Sequence, residues 1–341
     1  MLILASEKTF GGCDMEDERI IKNGIGLADD MAICGFPSEF KKGCNSPLGD
    51  TYFFDLTNPL QYDKTALKKA VEKLGVAYRV DMQFRETKET HYSIFVVNDD
   101  NITLSLYDCL SSTNWQKFII GKDDKGDFVE LDFDKSPHLL IAGTTGSGKS
   151  ILLHNILINL SATHRARKCE YLIIDPKGSE FKAYKDKKAF NFCDSTSGAI
   201  QWLKTLENEM DRRYKLDDPM SDHDIFLIID ELADLMLTSK GEVETSLVRL
   251  AQKGRACGIH LIIATQYPKA DVFSPLIRAN IPYRICLKTA TSIESIVVLG
   301  KKGAETLRGK GDCIVKMGLL EWHTQVAFPE IELEQHIIDR G

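Results

Sequence analysis

The residues best suited to chemistry in this sequence are Gly143-Thr144-Thr145-Gly146-Ser147-Gly148-Lys149-Ser150. The pattern G-x-x-x-x-G-K-[ST] wraps backbone N–H groups around a polyphosphate. Its glycines let successive amides point inward at a helix N-terminus, where the helix dipole also favours an anion. Lys149 is placed to reach the β- and γ-phosphates, and the Ser150 hydroxyl to ligate Mg²⁺. Four constrained positions match by chance in a chain of this length roughly 1% of the time. The flanks lower that further, because the apolar run His138–Ala142 precedes the loop and the apolar segment Ile151–Leu157 follows it. The expected cofactors are ATP and Mg²⁺.

A phosphate loop that hydrolyses its nucleotide needs a second element to hold the metal and activate water. Asp230-Glu231 ends the run Ile225-Phe226-Leu227-Ile228-Ile229. In an open parallel sheet the strand C-termini line the ligand crevice, so this pair would lie beside the phosphates. Asp230 would hold the Mg²⁺ shell and Glu231 would act as general base. Acidic residues also favour helix starts, which is the structural reading of the same pair. A third strand end carries Ala264-Thr265-Gln266, where Gln266 could position water or sense the γ-phosphate. Asp175-Pro176-Lys177 ends a fourth strand, and its charges could face the same crevice or a neighbouring subunit. Arg249, Lys253 and Arg255 precede the Gln266 strand; the first two read as a solvated face and Arg255 as an arginine finger, with Arg284 as its rival.

These groups need a scaffold of buried strands alternating with helices. Tyr171–Ile174, Ile225–Ile229, Ile259–Ala264 and Tyr283–Leu287 are apolar runs of the kind buried on both faces of a parallel sheet. Ile200, Leu203, Leu206, Met210 and Tyr214 recur at helical spacing, as do Val243, Leu247 and Leu250. Cys313–Lys316 and Glu321–Phe328 read as a closing hairpin across Met317-Gly318. Gly121–Gly126 reads as a turn before a strand at Phe128–Phe133. Upstream, a strand at Thr51–Leu56, a helix over Leu67–Leu74, and strands at Val76–Val80 and His91–Val97 suggest a small α+β module, with a charged turn at Glu86–Glu89 and a connection starting at Asp99-Asp100-Asn101. The expected organisation is an uncertain segment 1–50, a small α+β domain 51–111, and an α/β domain 112–341.

Composition fits a globular protein, with 43% hydrophobic and 27% charged residues. There is no apolar run of the length that spans a bilayer and no signal peptide, so a cytoplasmic location without an integral membrane segment is expected. Nine cysteines without a C-x-x-C pair fit reduced thiols rather than zinc or a disulfide framework. The net charge of −7 is uneven: residues 1–134 hold 15 Lys+Arg against 24 Asp+Glu, and the remainder 28 against 26. With no basic tail, any nucleic-acid contact must come from local loops such as those at Lys269, Arg278, Lys301, Lys302, Arg308 and Lys310.

Several stretches together resemble the FtsK/SpoIIIE DNA translocases. They are Pro137–Ser150, Asp175-Pro176-Lys177, Ile229–Leu235, Arg249–His260 with Ala264-Thr265-Gln266, Ile277–Pro282 and Gly309-Lys310-Gly311-Asp312. The resemblance covers roughly residues 112–328, and more weakly likens the upstream module to that family's small α domain. It implies a RecA-like P-loop NTPase core with a mostly parallel sheet, working as a homo-hexameric ring that hydrolyses ATP to move double-stranded DNA. Lys149, Ser150, Asp230, Glu231 and Gln266 carry over residue by residue. The family's Thr-Gln-Arg-Pro reads Thr265-Gln266-Tyr267-Pro268 here, so an arginine expected in that loop is replaced. The resemblance does not extend to a membrane-spanning N-terminal region or a C-terminal winged helix. A compact motor moving DNA in transfer, replication or partition of a mobile element, with membrane-associated or element-encoded partner proteins, is therefore expected. The alternatives are an FtsK-like ATPase driving protein secretion, against which a single motor domain weighs, and a nucleotide-switched DNA-binding assembly factor, against which Glu231 weighs. A small-molecule kinase would need a helix-rich lid with clustered arginines, which is not visible.

Overall fold

The computed structural model describes residues 18–46, 49–57, 63–78, 80, 82–88, 91–97, 104, 118–163, 169–185, 187–188, 190–220 and 223–328. The chain divides into two units, Met1–Thr103 with Lys122–Phe128, and Leu104–Gly121 with Val129–Gly341.

The first unit begins upstream of the expected module. Helix α1 (Glu18–Ile33) and strand β1 (Ser38–Ser46) precede β2 (Gly49–Leu56), α2 (Lys64–Tyr78), β3 (Met82–Lys88) and β4 (His91–Val97). The strands form an antiparallel sheet in the order β1-β2-β4-β3. Leu27 and Met31 of α1 and Leu67, Val71 and Leu74 of α2 bury against Phe54, Tyr92 and Ile94. Of the strand expected at Val76–Val80, residues 76–78 are instead the end of α2. Its apolar phase carries on through Gly75, leaving Val76 80% exposed. The chain turns only afterwards, where the Val80 amide donates to the Gly75 carbonyl at 3.0 Å. A Cβ on Gly75 would lie 2.9 Å from the Val80 carbonyl oxygen. Residues 86–88 of the turn expected at Glu86–Glu89 lie within β3, which runs on to Lys88, paired with His91. The connection at Asp99–Asn101 lies outside the described residues.

The second unit is a ten-stranded sheet with helices on both faces. Its strands are β5 (Phe118–Asp123), β6 (Phe128–Leu131), β7 (His138–Ala142), β8 (Cys169–Ile174), β9 (Phe190–Cys193), β10 (Asp224–Ile229), β11 (Ile259–Thr265), β12 (Tyr283–Leu287), β13 (Asp312–Met317) and β14 (Leu320–Val326). The order is β6-β5-β14-β13-β12-β7-β11-β10-β8-β9. Strands β12, β7, β11, β10, β8 and β9 run parallel, and β13–β14 add antiparallel to β12 as the expected hairpin. The helices are α3 (Lys149–Thr163), α4 (Thr196–Arg213), α5 (Leu232–Lys253), α6 (Pro275–Asn280) and α7 (Ser292–Leu299).

Strands β7, β10 and β11 are buried at every position, as their unbroken apolar runs require. Successive side chains point to opposite faces, so each strand feeds two cores. Leu140, Leu227 and Ile263 pack with Leu203, Leu247 and Leu250 of α4 and α5. Leu139, Ile228 and Ile262 pack with Leu152, Ile156 and Leu160 of α3. The turn expected from Gly121 onward starts later, because Gly121 lies within β5. A Cβ there would sit 1.9 Å from the Gln325 carbonyl oxygen of β14, so close strand contact explains this glycine. The result is the expected α/β fold with a mostly parallel P-loop core.

Candidate active site

Register brings the chemistry to one edge of the sheet. Ala142 pairs with Thr265, Ile263 with Ile229, and Ile229 with Ile174. The residues that follow, Gly143, Gln266, Asp230 and Asp175, therefore leave parallel strands at the same end, where such sheets bind ligands.

The phosphate loop connects β7 to α3 and is anchored from two sides. Its Gly143 amide donates to the Thr265 carbonyl at 3.3 Å, and its Thr144 amide to the Lys288 carbonyl at 2.9 Å. Residues Gly309–Gly311 rest directly on it, with the Gly311 amide donating to the Ser147 carbonyl at 2.7 Å. Gly148 has φ +101°, and a Cβ there would lie 2.5 Å from the Gly311 nitrogen. Glycine at 148 thus meets both a left-handed backbone and a crowded contact. Lys310, expected from its charge to contact DNA, belongs to this strap, its amide donating to the Gly146 carbonyl at 3.4 Å.

Lys149 opens α3 and turns inward. Its Nζ donates to the Asp230 carbonyl at 2.9 Å and pairs with the Asp230 carboxylate. Both residues are buried, and Asp230 is fully so. Burial pushes the Asp230 carboxyl above its ordinary value; Lys149 opposes this, and the nearby Asp175 and Glu180 reinforce it. Asp230 Oδ2 and Ser147 Oγ are buried side-chain oxygens without a hydrogen-bond partner. An unsatisfied buried carboxylate oxygen is costly, and a hard cation would satisfy it. The donor chemistry therefore fits Mg²⁺ held through Asp230, with Ser150 on the adjoining first turn of α3.

Glu231 is a helix start that also lines the crevice. It is the N-cap of α5, its Oε1 accepting from the Ala233 amide at 3.4 Å, and it is wholly buried at the crevice. It also accepts from the Thr265 hydroxyl and, at 3.1 Å, from the Gln266 amide. The Gln266 side chain accepts from Thr145 Oγ1 of the phosphate loop at 3.0 Å. Asp175 organises the next strand end, its carboxylate accepting four backbone amides, those of Lys177, Gly178, Glu180 and Phe181. That folded loop presents Lys177 toward Glu231, with Nζ 3.9 Å from Oε2.

The basic residues separate. Arg249 bridges α5 to α4 through Asp211 at 2.7 Å. Arg284 is consumed by main-chain carbonyls, donating to Val298 at 2.8 Å and Arg278 at 2.7 Å; burial, with Arg278 nearby, lowers its pKa. Arg255 is exposed and donates to the Asp134 carbonyl at 2.8 Å. It lies before β11, whose seven residues at about 3.3 Å each put it roughly 20 Å from its own phosphate loop. Lys301 pairs with Glu321, and Arg308 with Asp312 at 3.3 Å.

Sequence reasoning missed three parts: Thr265, the Thr145–Gln266 bond, and the strap Gly309–Gly311. The glycines flanking Lys310 were the one available signal for the strap, and with the charge of Lys310 they pointed to a DNA-contacting loop rather than a partner of the phosphate loop.

The sequence profile of the FtsK/SpoIIIE family matches residues 111–223 and 217–270. DNA translocase FtsK of Campylobacter jejuni is 39% identical over 247 residues, 65% of this chain and 26% of that protein. DNA translocase SftA of Bacillus subtilis is 39% identical over 219 residues, 57% of this chain and 23% of that one. The chain thus spans about a quarter of the length of these curated relatives. Among solved structures, the pCW3 conjugation coupling protein TcpA with ATPγS matches 94% of this chain and 99% of its own, at TM-score 0.67 and 22% identity. The cytoplasmic domain of the type VII secretion ATPase EccC of Thermomonospora curvata matches 70% of this chain and 34% of its own, at TM-score 0.62 and 23% identity. The likeness to both is one of fold. Over residues 111–270, this chain carries the sequence profile of the FtsK/SpoIIIE family.

Proposed function

We propose that this protein is an ATP hydrolase that moves double-stranded DNA, working in the cytoplasm as a homo-oligomeric ring, with six subunits as the expected number. The observation that carries the reading is the convergence of Lys149, Asp230, Glu231 and Gln266 at one sheet edge, with Asp230 keeping an unpartnered buried oxygen. On ATP binding, the amides of Gly143–Ser150 surround the phosphates and Lys149 leaves Asp230 for the β- and γ-phosphates. Asp230 and Ser150 would hold the Mg²⁺, which when bound would spread the charge that develops on the phosphate oxygens. Glu231 takes a proton from the attacking water as the γ-phosphorus–oxygen bond to the β-phosphate breaks. Gln266 orients that water and registers the loss of phosphate. Arg255, too far to serve its own loop, reaches a neighbour's nucleotide across the subunit interface.

The cargo follows from the sequence relatives, both described as DNA translocases. Lys269 and Lys302 supply positive charge for phosphate contacts, whereas the Arg278 guanidinium donates to the Val297 carbonyl at 3.3 Å. We assign the DNA to a mobile element, with element-encoded or membrane-associated partners, taking the lead from TcpA, a conjugation coupling protein whose likeness runs through most of both chains. No helix among the described residues is long and apolar enough to cross a membrane. The test is ATP turnover with and without linear duplex DNA, alongside native mass with nucleotide. Turnover stimulated severalfold by duplex in a ring-sized species supports the reading; turnover indifferent to DNA overturns the cargo, and no turnover overturns the activity.

A further inference from the structure

Glu231 is placed as a general base, yet its carboxylate is occupied. Oε1 accepts from Thr265 Oγ1 and from the Ala233 amide at 3.4 Å, and the Gln266 amide bridges both oxygens at 3.3 and 3.1 Å. Lys177 Nζ stands 3.9 Å from Oε2. A carboxylate has about four accepting positions, so this arrangement leaves little room for a water in line with a phosphate. Glu231 and Thr265 are both fully buried, so solvent does not compete for these bonds.

The same turn has two other connections. Thr265 Oγ1, while donating to Glu231, accepts from the Tyr267 amide at 3.1 Å. Gln266, whose amide holds Glu231, accepts through its side chain from Thr145 of the phosphate loop at 3.0 Å. Tyr267 itself is 54% exposed. Residues 265–267 therefore link the backbone of an exposed residue, the phosphate loop and the base by consecutive hydrogen bonds.

We propose that Thr265 is a positioning residue that latches Glu231 in a resting orientation, and that rearrangement of the 265–267 turn releases it. The proposal rests on the ATP-hydrolase reading above. In the latched state the base points into the Thr265–Gln266 cradle. A nucleotide phosphate that draws Thr145 or Gln266 out of their mutual bond moves the Gln266 amide with them. Displacement of Tyr267 from outside pulls on Thr265. Either input frees the carboxylate to meet water, so turnover stays low until the loop is engaged.

The test compares Thr265→Val, which keeps shape and removes the hydroxyl, with Thr265→Ser, which restores it, and with Glu231→Gln. ATP turnover is measured without DNA and with saturating linear duplex, and binding of a non-hydrolysable ATP analogue is measured separately. Losing one hydrogen bond to a buried charge should raise DNA-free kcat of Thr265→Val by about fivefold or more. Its DNA-stimulated kcat and its analogue affinity stay near wild type, so the stimulation ratio falls, and Thr265→Ser restores it. A DNA-free kcat that is unchanged or lower in Thr265→Val, with Glu231→Gln inactive, overturns the latch alone. A merely structural role would lower both rates and weaken analogue binding. Wild-type protein without turnover, or Glu231→Gln with full turnover, overturns the hydrolysis reading and the latch with it.

Discussion

Replacing Lys149 with Met should destabilise the nucleotide-free protein in a pH-dependent way. Lys149 and Asp230 form a buried ion pair, with side chains 3% and 1% exposed. Methionine keeps much of the stem's volume and removes only the charge and its donors. Breaking a buried pair by removing one partner costs about 3–5 kcal/mol, because the remaining charge is left uncompensated. The cost here depends on whether Asp230 is ionised. Its carboxyl already lies above the ordinary range through burial, with Asp175 and Glu180 adding to the effect, and Lys149 is what opposes it. In the variant that opposition is gone and the folded-state pKa rises further. A carboxyl with a raised folded-state pKa is protonated at little cost below its unfolded value, and loses stability as pH rises toward and through the folded value. The penalty should therefore be small near pH 4–5 and full near pH 8. For a domain of this size 3–5 kcal/mol is roughly 6–20 °C in Tm. Thermal melts of wild type and variant at several pH values, without nucleotide, read it directly. A Tm loss equal at pH 5 and pH 8, or a loss at pH 8 within the roughly 1 kcal/mol of an exposed pair, would refute the reasoning.

Three further outcomes follow from the geometry. Arg255→Ala should retain nucleotide binding and lose about 10³-fold or more in turnover, and mixing it with Lys149→Met should restore part of the rate, since each supplies what the other lacks across an interface; full activity of Arg255→Ala alone would remove it as the finger. Gly148→Ala should cost about 1–3 kcal/mol and abolish nucleotide binding, because its φ of +101° and the Gly311 contact both exclude a Cβ; equilibrium unfolding and nucleotide titration check it. Asp312 is buried, which alone would raise its carboxyl, but His323 Nε2 at 2.6 Å and Arg308 hold it below the ordinary range. Its contribution is therefore present above its unfolded pKa and lost as pH falls through the lower folded value. Asp312→Asn should cost about 1–3 kcal/mol at neutral pH and raise KM for ATP, since the Asp312 carboxylate accepts from the Arg308 amide at 2.9 Å and so anchors the start of the strap.

The sequence made the sheet legible wherever burial on both faces left an unbroken apolar run. Residues Ile225–Ile229 and Ile259–Ala264 fell in strands because no polar face interrupts them. Edge strand β9 (Phe190–Cys193) went unread, because four residues with an exposed Asn191 carry too little pattern. Gly121 misled because a glycine chosen for close strand approach is indistinguishable in sequence from one chosen for a turn. At the site, spacing after apolar runs found Asp230 and Glu231, since strand ends and ligand crevices coincide in this fold. It could not find the Thr265–Glu231 bond or the Gly309–Gly311 strap. Those depend on which strands become neighbours and on how a distant loop folds back, and neither leaves a local pattern.

Translocation itself can be measured by displacement of a third strand from a triplex at the end of a long duplex. The wild-type protein should strip the third strand only with ATP and Mg²⁺, at a rate that slows as duplex on the loading side is shortened, while Lys149→Met and Glu231→Gln leave the triplex intact. ATP turnover stimulated by duplex with no displacement at any duplex length would contradict it.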